Sequence, residues 1–303
     1  MNTVMGPHLV VVEPGPLALI QDEGRRGHLA VGVGRAGAAD QAAFALGNRI
    51  AGNRLARRRG GSGAIEVTFG GLVVRAVGNL TLCLTGAPAP ATVNGRPVAH
   101  ASSFRVRDGE EVRLGTPSAG MRTYLCVRGG IDVPFELGSR SSDTMSGLGP
   151  APLKPGDVLR VGGNAKRWVP VDHAPLRPLT NDTVTLAVTP GPRYPWFAEP
   201  DQLAQIEWST SEKSDRKGVR LNGGSLARAA EFRDAELASE GMVRGAVQVP
   251  PNGEPVVFLS DFPVTGGYPV IGVVRAKDVD LVAQLRPGQP VRFRWEGRST
   301  RRG

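Results

Sequence analysis

The first group of residues that could do chemistry is QDEGRRGH at 21–28. A carboxylate at Asp22 and a guanidinium at Arg25 are close enough to pair, or to hold opposite ends of a polar substrate. Glycine at this density, as at Gly24, frees the backbone for close approach to a ligand. We expect Gln21, Gly24 and Arg25 to bind substrate and Asp22 to act as a base or to orient one. The alternative is a Gly-rich loop with a surface ion pair.

A second group, SEKSDRKG, occupies 211–218. It places a hydroxyl, a carboxylate and a guanidinium in a row at Ser214, Asp215 and Arg216. In a strand these side chains would point to alternate faces, and the planar fork of arginine suits a carboxylate or ureido oxygen. We expect Ser214 and Arg216 to bind substrate and Asp215 to act as a base, unless the segment is only an exposed turn.

The third and most informative group spans Ser239–Pro269, which has the pattern of a strand, an Asn-Gly turn, a strand and a Gly-Gly turn. Polar residues interrupt its apolar alternation, and a buried polar group without a hydrogen bond costs about 1–3 kcal/mol. We expect Asp261 to act as a base or to orient one. Backbone N–H groups of the Gly-Gly turn suit a developing oxyanion. The other residues expected to bind substrate are Glu240, Gln248, Thr265, Gly266, Gly267 and Tyr268. A polar network at the end of a barrel is the alternative.

The charge of the chain is basic, with 37 basic and 28 acidic residues and a net charge of +9. Such a charge can mark an anionic partner. The arginine clusters at 54–59 and 298–302 contain no aromatic residues on which bases could stack. We therefore predict no nucleic-acid partner and attribute the charge to the use of arginine in place of lysine.

Several classes of site and location are disfavoured. Cys83 and Cys126 lie in apolar, strand-like runs, which predicts reduced core thiols. The N-terminus does not resemble a signal peptide and no apolar run reaches membrane length, so we expect a cytoplasmic protein with no membrane contact. The four histidines show no metal-ligand spacing, so no metal site is predicted. The sequence lacks a Walker loop, a G-x-S-x-G elbow and a Met-Lys-Met biotin site.

Most apolar segments are short and end in turn residues, which predicts an all-β barrel or sandwich. Asn94-Gly95 and Asn252-Gly253 predict hairpin turns. Helical signals, including a cap at Asp40, predict three short helices over 40–50, 199–208 and 278–285.

A faint internal duplication suggests two related β-domains. Its clearest part is the V-x-P-G-P motif at 12–16, which recurs at 188–192, and three further short matches follow in the same order. We predict an N-terminal domain over 9–165 and a C-terminal domain over 182–297, joined by a Pro-rich linker at 164–181. Residues 116–165 have no counterpart in the second half and are either part of the first domain or shared between the two.

The sequence resembles the allophanate hydrolase subunit 2, or biotin-dependent carboxyltransferase, family over about residues 9–295. The motifs that carry the resemblance are QDEGRRGH (21–28), GAAD (37–40), IEVTFGG (65–71), LTGA (84–87), RGGIDVPFELGSRS (128–141), SDRKGVRL (214–221), SEGMVRGAVQVPPNGEP (239–255) and TGGYP (265–269). Two segments depart from the family pattern: the basic, Gly-rich stretch at 54–63, and SDTMSGLGP at 142–150, where a Gly-rich loop is usual. If the second loop touches substrate, the substrate differs.

The resemblance implies two cyclophilin-like β-barrels with a few short helices. It implies the C-type component of an ATP-dependent 5-oxoprolinase, which opens 5-oxo-L-proline to L-glutamate. Its partner would be subunit 1, of the KipI or B-type oxoprolinase kind, and a LamB/YcsF-type protein, the A-type component, would complete the complex. ATP would be used by the complex at a site that the sequence does not locate. Under this hypothesis Arg25 and Arg216 clamp an anion, and Gly266 and Gly267 supply backbone donors.

Two other functions stay open. One is biotin-dependent carboxyl transfer to a urea-like nitrogen, with biotin attached to another chain. The other is a non-catalytic, KipA-like antagonist of a histidine-kinase inhibitor. If the three groups serve one function they must converge in a single cleft. Removing Arg216 or Asp261 should then abolish activity while moving the melting temperature by only a few degrees.

Overall fold

The computed structural model describes residues 6–55, 61–165, 173–176 and 178–297. Within these ranges the protein is built mainly from β-strands, which confirms the predicted fold class. The chain divides into two compact units, the first formed by 1–30 and 35–179, the second by 31–34 and 180–303. Residues 116–165 belong to the first unit. Part of the predicted linker, at 166–172 and 177, lies outside the described residues, as do most of the arginine cluster at 54–59 and all of that at 298–302.

Two antiparallel sheets make up the first unit. The six-stranded sheet has the order β11 (Val158–Arg160), β1 (His8–Pro14), β4 (Leu72–Val77), β9 (Glu111–Leu114), β6 (Ala91–Val93) and β7 (Arg96–Pro97). The five-stranded sheet has the order β2 (Leu17–Gln21), β3 (Ala64–Thr68), β10 (Arg122–Val127), β5 (Leu80–Gly86) and β8 (Ser103–Val106). Leu9 and Val74 of the first sheet and Ile65 and Leu125 of the second belong to one buried apolar cluster, which forms the core of this unit.

The chain crosses between these sheets at glycines. β1 and β2 are joined through Gly15, and β3 and β4 through Gly70 and Gly71, all with positive φ. A Cβ at Gly15 would lie 2.2 Å from the Gly70 carbonyl oxygen, so no larger residue fits. Because the chain turns corners here, the strands of this unit form two sheets, whereas the resemblance predicts a closed barrel.

One helix packs on the first unit. Asp40 caps α1 (Gln41–Ile50) as predicted, since its carboxylate accepts a hydrogen bond of 2.8 Å from the N–H of Ala43. A Cβ at Gly47 would lie 2.7 Å from Cys126 Sγ, so the helix approaches β10 closely. The hairpin predicted at Asn94-Gly95 is also confirmed: both residues have positive φ and join β6 to β7.

The second unit contains a closed barrel of seven strands. In order around it these are β12 (Val184–Pro190), β19 (Val270–Val274), β16 (Ala246–Gln248), β17 (Val256–Phe258), β14 (Gly218–Asn222), β13 (Trp208–Thr210) and β20 (Pro290–Trp295). β20 closes the barrel by pairing in parallel with β12. A separate two-stranded sheet is formed by β15 (Glu240–Gly241) and β18 (Thr265–Gly266). β1 and β12 both end at the first proline of the repeated V-x-P-G-P motif.

The helices of the second unit are shorter than predicted. α2 covers Gln202–Gln205, and Trp208 begins a strand instead of ending a helix. The buried Trp208 indole N–H donates to the Leu203 carbonyl at 2.9 Å, so packing rather than helical periodicity places it. α3 covers Ala276–Val282. Elsewhere in the chain, short 3-10 turns occur at Leu29–Val31, Tyr194–Trp196 and Ala230–Phe232.

Candidate functional site

Asp22 lies at the centre of a buried hydrogen-bond cluster in the first unit. Its Oδ1 accepts from Gly24 N–H at 2.7 Å and from the hydroxyls of Ser139 and Ser141, both at 2.6 Å. Its Oδ2 accepts from the Arg140 N–H at 2.7 Å. Four donors satisfy the carboxylate and fix the segment after β10 to the end of β2.

Gln21 and Arg25 bind the same segment. Arg25 Nη2 donates to the Ser141 carbonyl at 2.6 Å, and its Nη1 lies 3.8 Å from Asp143 Oδ2. Gln21 Nε2 donates to the Ser142 carbonyl at 3.0 Å. The residues of the first group therefore do come together, around GSRSSD at 138–143. These serines were missed as site residues, although they lie in one of the motifs that carry the resemblance.

Arg216 and Asp261, from the second and third groups, form a buried ion pair in the second unit. Arg216 Nε donates to Asp261 Oδ2 at 3.0 Å and Nη2 donates to Oδ1 at 3.2 Å. The Asp261 N–H donates in turn to the Arg216 carbonyl at 3.1 Å. Both side chains are almost fully buried. The pair joins the chain before β14 to the chain after β17.

Ser214 and Asp215 shape the turn that leads into β14. Ser214 Oγ accepts from the Arg220 N–H at 3.1 Å. Asp215 Oδ1 accepts from the N–H groups of Lys217 at 2.8 Å and Gly218 at 3.1 Å, an Asx-type turn. Each of the three carboxylates predicted to act as bases therefore accepts hydrogen bonds from the protein itself.

The remaining residues of the third group lie around β15 and β18. Gln248 Nε2 donates to the Tyr268 carbonyl at 3.2 Å, and a Cβ at Gly266 would lie 2.7 Å from that nitrogen. Glu240 pairs with Gly266 across the small sheet, as Gly241 does with Thr265. Glu240 also forms an ion pair with Arg193, which lies outside the predicted groups. Hydrogen bonding by Arg193 and its positive charge lower the pKa of Glu240 from its ordinary value of 4.5.

Two cavities of the second unit share the loop between β16 and β17, at residues 250–252. One, of about 530 Å³, is also lined by Gly267 and Tyr268 and by Arg228 and Arg233. The other, of about 600 Å³, is also lined by Ser211, Lys213, Arg220 and Asn222 among others. The second and third groups thus meet around this loop. Residues 24–27 belong to the first unit, so the convergence of all three groups stays a prediction.

Other expectations from the sequence concern thiols, metals and membranes. Cys83 and Cys126 are free and buried, as predicted. Among the described residues, no three His, Cys, Asp or Glu side chains are grouped as a metal site requires. In the same part of the chain, none of the helices has the length and apolar character needed to span a membrane.

Comparison with known families decides the family of the chain. The family model described as "Carboxyltransferase domain, subdomain A and B" matches residues 31–295, which include the second and third groups. This chain belongs to that family. The family assignment made from the motifs is therefore confirmed.

Within the carboxyltransferase family, the chain is 34% identical to the C-type subunit of 5-oxoprolinase from Escherichia coli, over 94% of this chain and 90% of that protein. It is 31% identical to urea amidolyase of Lachancea kluyveri, over 93% of this chain but only 16% of that protein. The crystal structure of TTHA0988 superposes with a TM-score of 0.85 at 33% identity, and the match covers 97% of this chain and 56% of that one.

Proposed function

We propose that this chain is the C-type subunit of an ATP-dependent 5-oxoprolinase complex, which hydrolyses 5-oxo-L-proline to L-glutamate. The observation that carries the proposal is the extent of the match with the C-type subunit of the E. coli 5-oxoprolinase, which covers 94% of this chain and 90% of that protein. The urea amidolyase of L. kluyveri, by contrast, contains the matching region as 16% of a much longer chain.

The chemistry explains what the residues must do. A lactam carbonyl is a weak electrophile, and transfer of the ATP γ-phosphoryl group to its oxygen gives an imidate-type centre that water can attack. The site then needs an anion clamp, a base and oxyanion donors. Within the second unit, backbone N–H groups at Gly266 and Gly267 are the proposed donors. We assign no ATP contact to this chain.

The ion pair alters the proposed roles of two residues. Because Arg216 gives two donors to Asp261, we assign the pair to positioning the ends of β14 and β17. Asp22, Gln21, Gly24 and Arg25 hold the 138–143 segment of the first unit in the same way. The proposed partners remain subunit 1, of the KipI or B-type oxoprolinase kind, and the LamB/YcsF-type protein.

Reconstitution tests this function. The three proteins together should release glutamate from 5-oxo-L-proline in the presence of ATP, and omission of this chain should abolish the release. The isolated chain should turn over nothing. Glutamate release without this chain, or none from the full set, would overturn the proposal.

Carboxyl transfer is the second candidate, favoured by the description of the family model and by the urea amidolyase relative. Biotin would then be carried on another chain. The test is transfer of labelled bicarbonate to urea in the presence of a biotin carboxylase and a biotinylated carrier protein. Label in the product only when this chain is present would favour this candidate over the oxoprolinase.

A further inference from the structure

The 600 Å³ cavity of the second unit presents two cationic side chains that no carboxylate in the described part of the chain neutralises. Lys213 follows β13, and Arg220 lies on β14. Both residues are exposed and line the same cavity. Neither was among the residues predicted from the sequence to bind substrate.

Hydrogen bonds of the backbone hold these two cations in place. The Lys213 N–H donates to Ser211 Oγ at 3.3 Å, and the Arg220 N–H donates to Ser214 Oγ at 3.1 Å. The Ser211 N–H donates to the Arg220 carbonyl at 2.8 Å, which ties the two segments together. The serines of the second group therefore set the spacing of the cations at the cavity wall.

The rest of the lining is polar on one side and apolar on the other. Asn222 lies two residues after Arg220 on β14 and so on the same face of the strand. The acidic residue of the lining, Glu254, accepts a hydrogen bond of 2.8 Å from Asn252 Nδ2. Pro250, Pro251 and Val256 complete the wall with apolar surface. Two cations against one carboxylate leave the cavity with a net positive charge.

We infer that this cavity binds a small carboxylic acid that also carries an amide, with Lys213 and Arg220 on the carboxylate. Two cations suit an oxyanion. The Asn222 carboxamide offers both a donor and an acceptor, which matches a lactam N–H and carbonyl. The prolines and Val256 suit ring methylenes. The inference rests on the proposed function, since 5-oxo-L-proline has all three features. It moves the anion clamp from Arg216, which binds Asp261, to Arg220 and Lys213.

Direct binding to the full chain tests this site without any need for turnover. Labelled 5-oxo-L-proline is dialysed against the wild type, the double variant Lys213→Gln/Arg220→Gln, and the control Lys277→Gln/Arg292→Gln. The control removes the same charge from exposed positions outside the cavity lining. 2-Pyrrolidinone, which lacks the carboxylate, and inorganic phosphate are the comparison ligands. Melting temperatures confirm that all variants are folded.

The acid should bind to the wild type and the control alike, and its Kd should rise about tenfold or more in the cavity variant. 2-Pyrrolidinone should bind more weakly and be indifferent to the variants. Equal binding of the acid to the wild type and the cavity variant overturns the site, as does no binding to the wild type at millimolar concentrations. Phosphate that binds through these cations in place of the acid overturns the carboxylate assignment. Binding as expected, but no glutamate from the reconstituted complex, would contradict the proposed function and leave the carboxylate site standing.

Discussion

Arg216 and Asp261 lie 45 positions apart in the chain, yet they face each other through two hydrogen bonds of 3.0 and 3.2 Å. Both side chains are at most 2% exposed. An arginine in an open cleft could be removed with little change in stability, which is the result expected from the sequence. A buried bidentate pair leads to a different expectation, because either residue left alone is a buried charge without its partner.

Breaking this pair should unfold the protein more easily. Arg216→Met or Asp261→Leu alone should each lower the free energy of unfolding by about 3–5 kcal/mol. The double variant should lose less than the sum, because no unpaired charge remains. Urea unfolding curves measure all three. Single variants as stable as the wild type would show that the pair is not structural and would return both residues to the list of substrate-binding candidates.

The Asp22 cluster should depend on the negative charge of this carboxylate. Asp22→Asn places an amide N–H₂ against groups that all donate, so we expect a loss of about 2–4 kcal/mol in unfolding free energy. The matched control is Asp132→Asn. That carboxylate lies 2.7 Å from Arg140 Nη1 but is half exposed, so its loss should cost at most about 1 kcal/mol. Equal effects of the two substitutions would contradict the cluster.

Two adjacent glycines should respond differently to the same added methyl group. Gly266→Ala would place Cβ 2.7 Å from Gln248 Nε2, which must leave its hydrogen bond with the Tyr268 carbonyl. We expect a loss of about 1 kcal/mol. Gly267→Ala, whose nearest neighbour would be the Leu237 carbonyl oxygen at 3.4 Å, should be close to neutral. Thermal unfolding of both variants checks this order, and a reversed order would be inconsistent with the geometry.

The ion pair between Glu240 and Arg193 should make stability depend on pH on the acid side. The pKa of Glu240 in the folded chain lies below its ordinary 4.5, so the pair stabilises fully above that value. Its contribution is lost as the pH falls through the folded pKa. The stability difference between wild type and Glu240→Gln should therefore be constant near neutrality and shrink below pH 4.5. The exposed Glu231→Gln serves as control, and a difference that grows towards acid would have the wrong sign.

The two thiols should be inert in the folded chain. Cys83 and Cys126 are directly opposite each other on β5 and β10, and both are fully buried. Burial raises the pKa of Cys83 to about 12 and that of Cys126 well above its ordinary value. Because the thiolate is the reactive form, neither should react with a thiol reagent at about pH 8, and both should react in urea. Native-state labelling at the rate of glutathione would show that the core opens.

Local signals determined much of this protein. The mainly β character, the Asp40 cap and the Asn94-Gly95 turn followed from the sequence because caps and tight turns depend on neighbouring residues. The motifs also identified the family. The second helix was predicted too long, since the burial of Trp208, and not periodicity, decided where that segment becomes a strand.

Only the tertiary structure decided which polar residues face one another. Ser141 reaches Asp22 across 119 positions, and Arg193 reaches Glu240 across 47. Residue type shows that a guanidinium can bind an anion, but not whether the anion is a substrate or a carboxylate of the same chain. That choice depends on packing, because a charge removed from water must find its partner wherever the fold places one. For the same reason Lys213 and Arg220 became visible as a pair only when the walls of one cavity were known.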